Sequence, residues 1–218
     1  MKLGILGGTF NPVHLGHLRA AEEVREALGI DRILFIPAKL PPHKGAARIA
    51  PPEIRLELVR DALAGTPYFE VSDLELRREG PSYSAETLEQ LRRRMAPGDR
   101  LWFLVGADAF REIHTWHRYP ELFALADIAV MRRPPRGPDP APPPDLSDQF
   151  SPSETGLRHV SGREVRFVPV TLLDISSTRI RGALSEGRSV RYLVPESVRE
   201  KLETLGREHP EWFSGSDE

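Results

Sequence analysis

The chain has 218 residues, of which 39% are hydrophobic, and its formal net charge at pH 7 is −2. This length suits one compact α/β domain, and so small a net charge does not indicate a nucleic-acid partner. Because the chain has no cysteine, a disulfide scaffold, a thiolate nucleophile and a cysteine-ligated metal are all excluded. The first apolar run, MKLGILGGTF, is too short for a signal peptide, and no run reaches the roughly 18–20 apolar residues of a membrane span. We therefore expect a soluble cytoplasmic protein with no membrane partner.

Short apolar runs alternate with segments of helical periodicity along most of the chain. Strands are predicted at residues 2–6, 32–37, 101–105, 127–131 and 165–170, with an extended segment at 68–76. Helices are predicted at residues 15–28, 52–63, 84–95, 177–184 and 195–205. This alternation predicts an α/β fold with a doubly wound parallel sheet, whose binding crevice lies at the carboxyl ends of the strands.

One proline-rich segment interrupts this alternation. The sequence RRPPRGPDPAPPP, at residues 132–144, cannot form a central strand or a helix, because proline lacks the amide donor that both need. We interpret the stretch at about 134–162 as a surface loop rather than a domain boundary. Too little chain follows it for a second domain, so a single domain over residues 1–218 is predicted.

The segment GGTFNPVHLGHL, which begins at Gly7, carries the first candidate site. Gly7 and Gly8 follow the first strand and permit a tight turn and the close approach of a ligand. His14 and His17 are three residues apart at the start of the next helix, with a glycine between them. Two imidazoles at the positive end of a helix dipole form a site for polyphosphate. Histidines that only pack or cap, or that bind zinc, are the alternatives.

A second candidate phosphate site lies near the C-terminus, in the sequence DISSTRIRGAL. Ser176 and Ser177 precede a helix, as N-cap residues do, and their hydroxyls can bind phosphate oxygens. Arg181 lies one turn after Ser177 on the same face. The alternative is an ordinary serine cap beside a solvated arginine. The dinucleotide fingerprint G-x-G-x-x-G and the Walker A pattern are both absent from the sequence, which argues against a dehydrogenase and a P-loop kinase.

Both segments resemble signatures of the nucleotidyltransferase superfamily. The first is similar to its T/H-x-G-H motif, and in particular to the nicotinate-nucleotide adenylyltransferase branch, where aspartate is common at the position of Asn11. The second is similar to the motif ISSTxxR. Three further segments also resemble that branch: Pro41 to Lys44, the GPSYS sequence from Gly80 to Ser84, and Gly106 to Asp108 followed by Phe110 and Trp116.

The resemblance implies a Rossmann-like nucleotidyltransferase fold with a small C-terminal helical part. It implies an enzyme of NAD biosynthesis whose substrates are ATP and nicotinate mononucleotide. The phosphate of the mononucleotide would attack the α-phosphorus of ATP in line, giving nicotinate adenine dinucleotide and pyrophosphate. Mg²⁺ would be bound mainly through the ATP phosphates, with no protein ligand. Whether the chain forms a homo-oligomer is left open.

The resemblance also implies roles for individual residues. The catalytic residues would be His14, His17 and Arg181. Residues that bind ATP would be Gly7, Gly8, Thr9, Phe10, His14, Gly16, His17, Gly106, Asp108, Ile175, Ser176, Ser177, Thr178 and Arg181. Residues that bind the acceptor would be Asn11, His43, Lys44, Tyr83, Ser84 and Trp116, with the tryptophan stacked on the pyridine ring.

Two other functions compete with this one. The same fold could serve another acceptor: nicotinamide mononucleotide, phosphopantetheine or a substrate of cytidylyl transfer. The GPSYS segment and Trp116 favour a pyridine nucleotide. A non-catalytic nucleotide sensor could also keep the fold, but the intact His14, His17, Ser177 and Arg181 argue against it.

Overall fold

A computed structural model describes residues 1–41, 49–132 and 139–213 of the chain. The strands within these ranges are β1 (Lys2–Gly8), β2 (Arg32–Pro37), β3 (Phe69–Val71), β4 (Arg100–Gly106), β5 (Asp127–Arg132), β6 (Phe150–Ser153), β7 (Gly156–His159) and β8 (Glu164–Pro169). The helices are α1 (Leu15–Leu28), α2 (Pro52–Leu63), α3 (Ser84–Arg92), α4 (Ala107–Arg111), α5 (Tyr119–Leu125), α6 (Ser177–Ser185) and α7 (Glu196–Glu208).

The described strands form one eight-stranded sheet in the order β3-β2-β1-β4-β5-β8-β7-β6. The pairs β1–β4, β4–β5 and β5–β8 are parallel, whereas β7 is antiparallel to both β8 and β6. Parallel neighbours joined by helices give the predicted doubly wound α/β fold, which is confirmed. The described residues cluster into two compact units.

The first unit contains residues 1–7, 20–34 and 83–172. Its central strands β4 and β5 read RLWFLVG and DIAVMR and are buried along most of their length. Such continuous apolar runs are typical of parallel strands that are covered on both faces. Asp127 begins β5 and is completely buried. Its carboxylate accepts hydrogen bonds from Arg100 Nε and Nη2, at 3.1 and 2.9 Å, and from the Glu164 amide at 2.9 Å.

The second unit contains residues 8–19, 35–82 and 173–218, as far as they are described. Its core is built where the apolar faces of α2, α6 and α7 are buried, at Leu58, Val59, Ile180, Val198 and Leu202. Phe35 and Phe69 meet edge to face, with 5.2 Å between ring centroids. This unit holds the turn after β1 and the starts of α1 and α6, which carry both predicted phosphate motifs.

The prediction of a surface loop at 134–162 is wrong for the second half of that segment. A 3₁₀ helix at Pro144–Gln149 leads into the antiparallel hairpin of β6 and β7. Pro152 is tolerated because β6 is the last strand in the sheet order, where a missing amide donor breaks no ladder. Gly156 is required because its φ is 153° and a Cβ there would lie 2.0 Å from the Val165 carbonyl oxygen. Residues 133–138 lie outside the described ranges, and the single-domain organisation stays a prediction.

The other predicted elements are confirmed with shorter bounds in two places. Only Phe69–Val71 of the extended segment forms a strand, and α3 ends at Arg92 rather than Met95. Helices α4 and α5 were not predicted, because five and seven residues are too few to show helical periodicity. Among the described helices, none has the length and apolar character needed to cross a bilayer.

The buried Asp127 should be a major source of stability for the first unit. Asp127→Ala would leave the Arg100 guanidinium and the Glu164 amide without this acceptor, and we expect a loss of about 2–3 kcal/mol in the free energy of unfolding. Asp73→Ala is the matched control, since its partner Arg77 is 79% exposed, and should cost less than about 1 kcal/mol. Urea unfolding measures both variants, and equal losses would contradict the burial argument.

Candidate functional site

The turn after β1 is held by an aromatic side chain rather than by its glycines. Gly7 and Gly8 lie within β1, and Phe10 is the residue that adopts a left-handed backbone, with a φ of 47°. Its ring is buried and meets the His17 ring edge to face, with 5.1 Å between centroids. A Cβ at Gly8 would lie 3.2 Å from Phe10 Cζ. The expectation that both glycines form the turn is therefore wrong: Gly8 makes room for a buried ring whose packing offsets the backbone strain.

The two predicted histidines stack on each other at the start of α1. The helix begins at Leu15, so His14 precedes it, and the His14 carbonyl accepts a hydrogen bond from the His17 amide at 2.9 Å. The ring centroids are 3.7 Å apart with an angle of 29° between the planes. The His14 amide donates to His17 Nδ1 at 3.3 Å. Because Nδ1 accepts, we infer that the His17 proton is on Nε2, which is then a hydrogen-bond donor.

The second motif lies against the first, although about 160 residues separate them in sequence. Ser176 is the N-cap of α6, and its hydroxyl accepts from the Arg179 amide at 3.2 Å. The Ser177 hydroxyl donates to the Pro12 carbonyl at 3.0 Å. Arg181 is 3% exposed and donates through Nη1 to the Asn11 carbonyl at 3.0 Å. The alternative of a solvated arginine is therefore wrong.

Arg181 also donates through Nη2 to Thr178 Oγ1 at 3.3 Å, which places two residues of the ISST motif in one hydrogen-bonded group. Asn11 is buried as well, and its Oδ1 accepts from the Ala50 amide at 3.2 Å. The chain before α2 is thereby joined to the same turn. His43 and Lys44, which were predicted to bind the acceptor, lie outside the described residues.

Five of the predicted site residues belong to the first unit: Tyr83, Ser84, Gly106, Asp108 and Trp116. Ser84 is the first residue of α3, as the sequence predicted, and Tyr83 is the N-cap of this helix. Trp116 is half-buried and meets Phe103 edge to face, with 6.1 Å between ring centroids. Gly106 ends β4 and precedes α4, where the 75%-exposed Asp108 pairs with Arg111. These residues therefore stand at strand and helix ends, where a ligand can reach them.

Two residues of interest were missed in the sequence. His117 is exposed, and its ring stacks on Tyr83 with 4.2 Å between centroids. Its position directly after Trp116 was the only signal for it. Arg55 is buried on the inner face of α2 with Leu58 and Val59, three and four residues later. An arginine in the apolar stripe of a helix was a signal that could have been read from the sequence.

The donors of the second unit do not include a built metal site. Among the described residues, no group of three or more histidines or carboxylates is placed to hold a metal ion. The side chains that contact the turn are imidazoles, hydroxyls and two guanidinium groups, whereas proteins bind Mg²⁺ mainly through carboxylates. A magnesium ion would therefore fit this region only when phosphate oxygens bring it there.

The fold and the two motifs define a nucleotidyltransferase. Residues 5–183, most of the chain, match the model of the family described as cytidylyltransferase-like. A solved structure described as Plasmodium falciparum nicotinic acid mononucleotide adenylyltransferase complexed with NaAD shares this fold. Its TM-score is 0.70 at 14% identity, and the match covers 94% of this chain and 96% of that one.

Relatives of high sequence identity indicate which branch of this class the chain belongs to. A protein of Trichlorobacter lovleyi named "Probable nicotinate-nucleotide adenylyltransferase" is 46% identical over 96% of this chain and its own full length. A protein of the same name from Syntrophotalea carbinolica is 50% identical over 91% of this chain and 93% of its own. The chain therefore belongs to the cytidylyltransferase-like family and, within it, to the nicotinate-nucleotide adenylyltransferases.

The spacing of the histidine pair should depend on Gly16. A Cβ at this position would lie 3.0 Å from His14 Nδ1 and 3.6 Å from the Ile175 carbonyl oxygen. Gly16→Ala would therefore push the His14 ring out of place, and we expect kcat to fall about tenfold, the scale of a small misplacement of catalytic groups.

Gly182→Ala is the matched control, because a Cβ there would meet no described atom within 4 Å outside its own helix backbone. It should leave kcat unchanged and raise the free energy of unfolding by about 0.5–1 kcal/mol. Turnover assays and urea unfolding measure both variants. Normal turnover in Gly16→Ala would show that the ring positions do not matter.

Proposed function

We propose that this enzyme transfers the adenylyl group of ATP to nicotinate mononucleotide, giving nicotinate adenine dinucleotide and pyrophosphate in NAD biosynthesis. The observation that carries the proposal is the meeting of two motifs at one turn. Ser177 and Arg181 bind the carbonyls of Pro12 and Asn11, just before the stacked histidines. The names of the relatives agree with this function.

The reaction needs positioned donors rather than a protein nucleophile. The ionised phosphate of the acceptor attacks the α-phosphorus of ATP in line, a P–O bond forms, and the bond to the departing pyrophosphate breaks. His17 Nε2–H would donate to an α-phosphate oxygen as charge develops there, and His14 would contact the polyphosphate. The His14 amide and the Phe10 ring fix the orientation of the His17 ring.

The start of α6 would hold the outer phosphates of ATP. Ser177, Thr178 and Arg181 would bind the β- and γ-phosphates through hydroxyls, a guanidinium and the positive end of the helix dipole. Mg²⁺ bound with ATP would neutralise part of the phosphate charge there, and no protein ligand is assigned to it. The other proposed ATP contacts are Gly7, Gly8, Thr9, Phe10, Gly16, Gly106, Asp108, Ile175 and Ser176.

The acceptor's carboxylate would be bound at the start of α3. Its first amides and the Ser84 hydroxyl are donors at the positive end of a nine-residue helix. Trp116 would stack on the pyridine ring and would not distinguish the carboxylate from a carboxamide. Asn11, Tyr83, His43 and Lys44 complete the proposed acceptor contacts. Because its proposed substrates are ATP and nicotinate mononucleotide, we propose that the enzyme works in the cytoplasm.

His17 should act mainly in the transition state. We expect His17→Ala to lower kcat by about 10²–10³, the scale of losing one donor to a developing oxyanion, with a smaller effect on the KM for ATP. His209→Ala, which removes a half-buried histidine stacked on Trp212 in the second unit, is the control and should leave kcat unchanged. Steady-state release of pyrophosphate measures both, and near-normal turnover of His17→Ala would remove this role.

The substrate assignment is tested by comparing two mononucleotides that differ only in a carboxylate or a carboxamide on the pyridine ring. A site of positively polarised donors should prefer the acid, and we expect its kcat/KM to be higher by about 10²-fold. Both are assayed with ATP under identical conditions. Equal values, or a preference for the amide, would overturn the acceptor assignment and leave adenylyl transfer standing.

A further inference from the structure

Arg55 is a buried cation to which the reaction described above gives no role. It lies on the inner face of α2 and is only 1% exposed. Burial disfavours its charged form and lowers the pKa of the guanidinium to about 10, which nearby Glu53 only partly offsets. Since a buried charge is costly, its hydrogen-bond partners should indicate its purpose.

The guanidinium of Arg55 donates to three main-chain carbonyls from three separate places in the second unit. Nη1 donates to the Thr9 carbonyl at 2.7 Å, in the turn after β1. Nε donates to the Ala50 carbonyl at 2.8 Å, just before α2, and Nη2 to the Lys39 carbonyl at 3.4 Å, just after β2. We name these four residues, Thr9, Lys39, Ala50 and Arg55, the Arg55 clamp. A planar fork with several donors can join three loops in this way, whereas an ammonium group cannot match its geometry.

Other contacts show that the clamp fixes the described ends of the segment 39–50. The Ala50 amide donates to Asn11 Oδ1 at 3.2 Å, so this end is joined twice to the turn after β1. The Lys39 amide donates to the Ser82 hydroxyl at 2.9 Å. Ala50 is therefore bonded directly to Asn11, and Lys39 is linked to the same turn through Arg55. The proposed function assigns Asn11 to the acceptor.

The histidine side of the turn is held by different contacts. The Leu15 amide donates to the Leu193 carbonyl at 3.0 Å, and the Ser177 hydroxyl donates to the Pro12 carbonyl. Arg55 takes no part in these hydrogen bonds. Weakening the clamp should therefore disturb the chain around Asn11 more than the histidine pair.

We propose that Arg55 is a positioning residue for the acceptor: it holds the ends of the segment 39–50 against the turn at Thr9 and Asn11, and it touches neither substrate. The inference rests on the proposed function, since it takes Asn11 as an acceptor contact. It distinguishes the two substrates by degree, because the clamp meets the proposed ATP contacts only at Thr9, whereas its other two carbonyls lie at the ends of the segment that is joined to Asn11.

The test compares Arg55→Lys and Arg55→Gln with Arg60→Lys. Arg55→Lys keeps the charge and the aliphatic stem but loses the fork, and Arg55→Gln removes the charge. Arg60 lies on the same helix and is exposed, so Arg60→Lys is the matched control. Pyrophosphate release gives kcat and the KM for ATP and for nicotinate mononucleotide, and hydrogen exchange reports on the main-chain amides of Lys39 and Ala50.

We expect both Arg55 variants to raise the KM for the mononucleotide about tenfold and the KM for ATP less than about twofold, since small misplacements of binding groups carry costs of this size. The amides of Lys39 and Ala50 should exchange faster, those of α7 should not, and Arg55→Lys should not restore the wild-type KM. Equal changes in both KM values, unchanged values, or loss of the folded state in both variants would overturn the inference in favour of a purely structural role. If the wild-type enzyme does not use nicotinate mononucleotide, the proposed function fails instead, and unchanged exchange of the Lys39 and Ala50 amides would still overturn the clamp.

Discussion

The structure of the site depends on the groups that donate hydrogen bonds to the carbonyls of one buried turn. The turn after β1 cannot satisfy its carbonyls by strand pairing, and a buried carbonyl without a donor costs about 1–3 kcal/mol. Side chains 46, 165 and 170 residues away in sequence supply the donors. The pairs are Arg55 with the Thr9 carbonyl, Ser177 with the Pro12 carbonyl, and Arg181 with the Asn11 carbonyl. The turn is therefore bonded to both helices: α2 donates to the Thr9 carbonyl, and α6 donates to the carbonyls of Asn11 and Pro12.

Much of the fold could be predicted because the decisive signals are local. The runs LWFLV and DIAVM are short and continuously apolar, as is typical of strands buried on both faces, and the apolar spacing of residues 15–28 fits one face of a helix. The phosphate motifs could be predicted for the same reason, since they follow a strand or precede a helix. That the two motifs meet is a non-local fact, and the sequence supported it only through resemblance to a known family.

The features that could not be predicted arise where tertiary packing overrides local preference. Proline argued against a strand at Pro152, yet an edge position tolerates it. A left-handed backbone at Phe10 is disfavoured for any residue with a large side chain, and it is held here because the ring is buried between His17 and Phe35. The position of Arg55 in the apolar stripe of α2 could indicate its burial, but the carbonyls of distant loops that accept its hydrogen bonds could not be predicted.

The stacked histidines constrain how charge can be handled during the reaction. The ring centroids are only 3.7 Å apart, so each ring restricts the orientations that the other can adopt. The His14 amide already donates to His17 Nδ1, so a second proton on His17 would break that hydrogen bond. His17 therefore offers an Nε2–H donor that the stacked His14 ring and the His14 amide hold in a fixed direction. Such a donor suits adenylyl transfer, because the attacking phosphate is already ionised and the catalytic task is to stabilise charge that moves among phosphate oxygens.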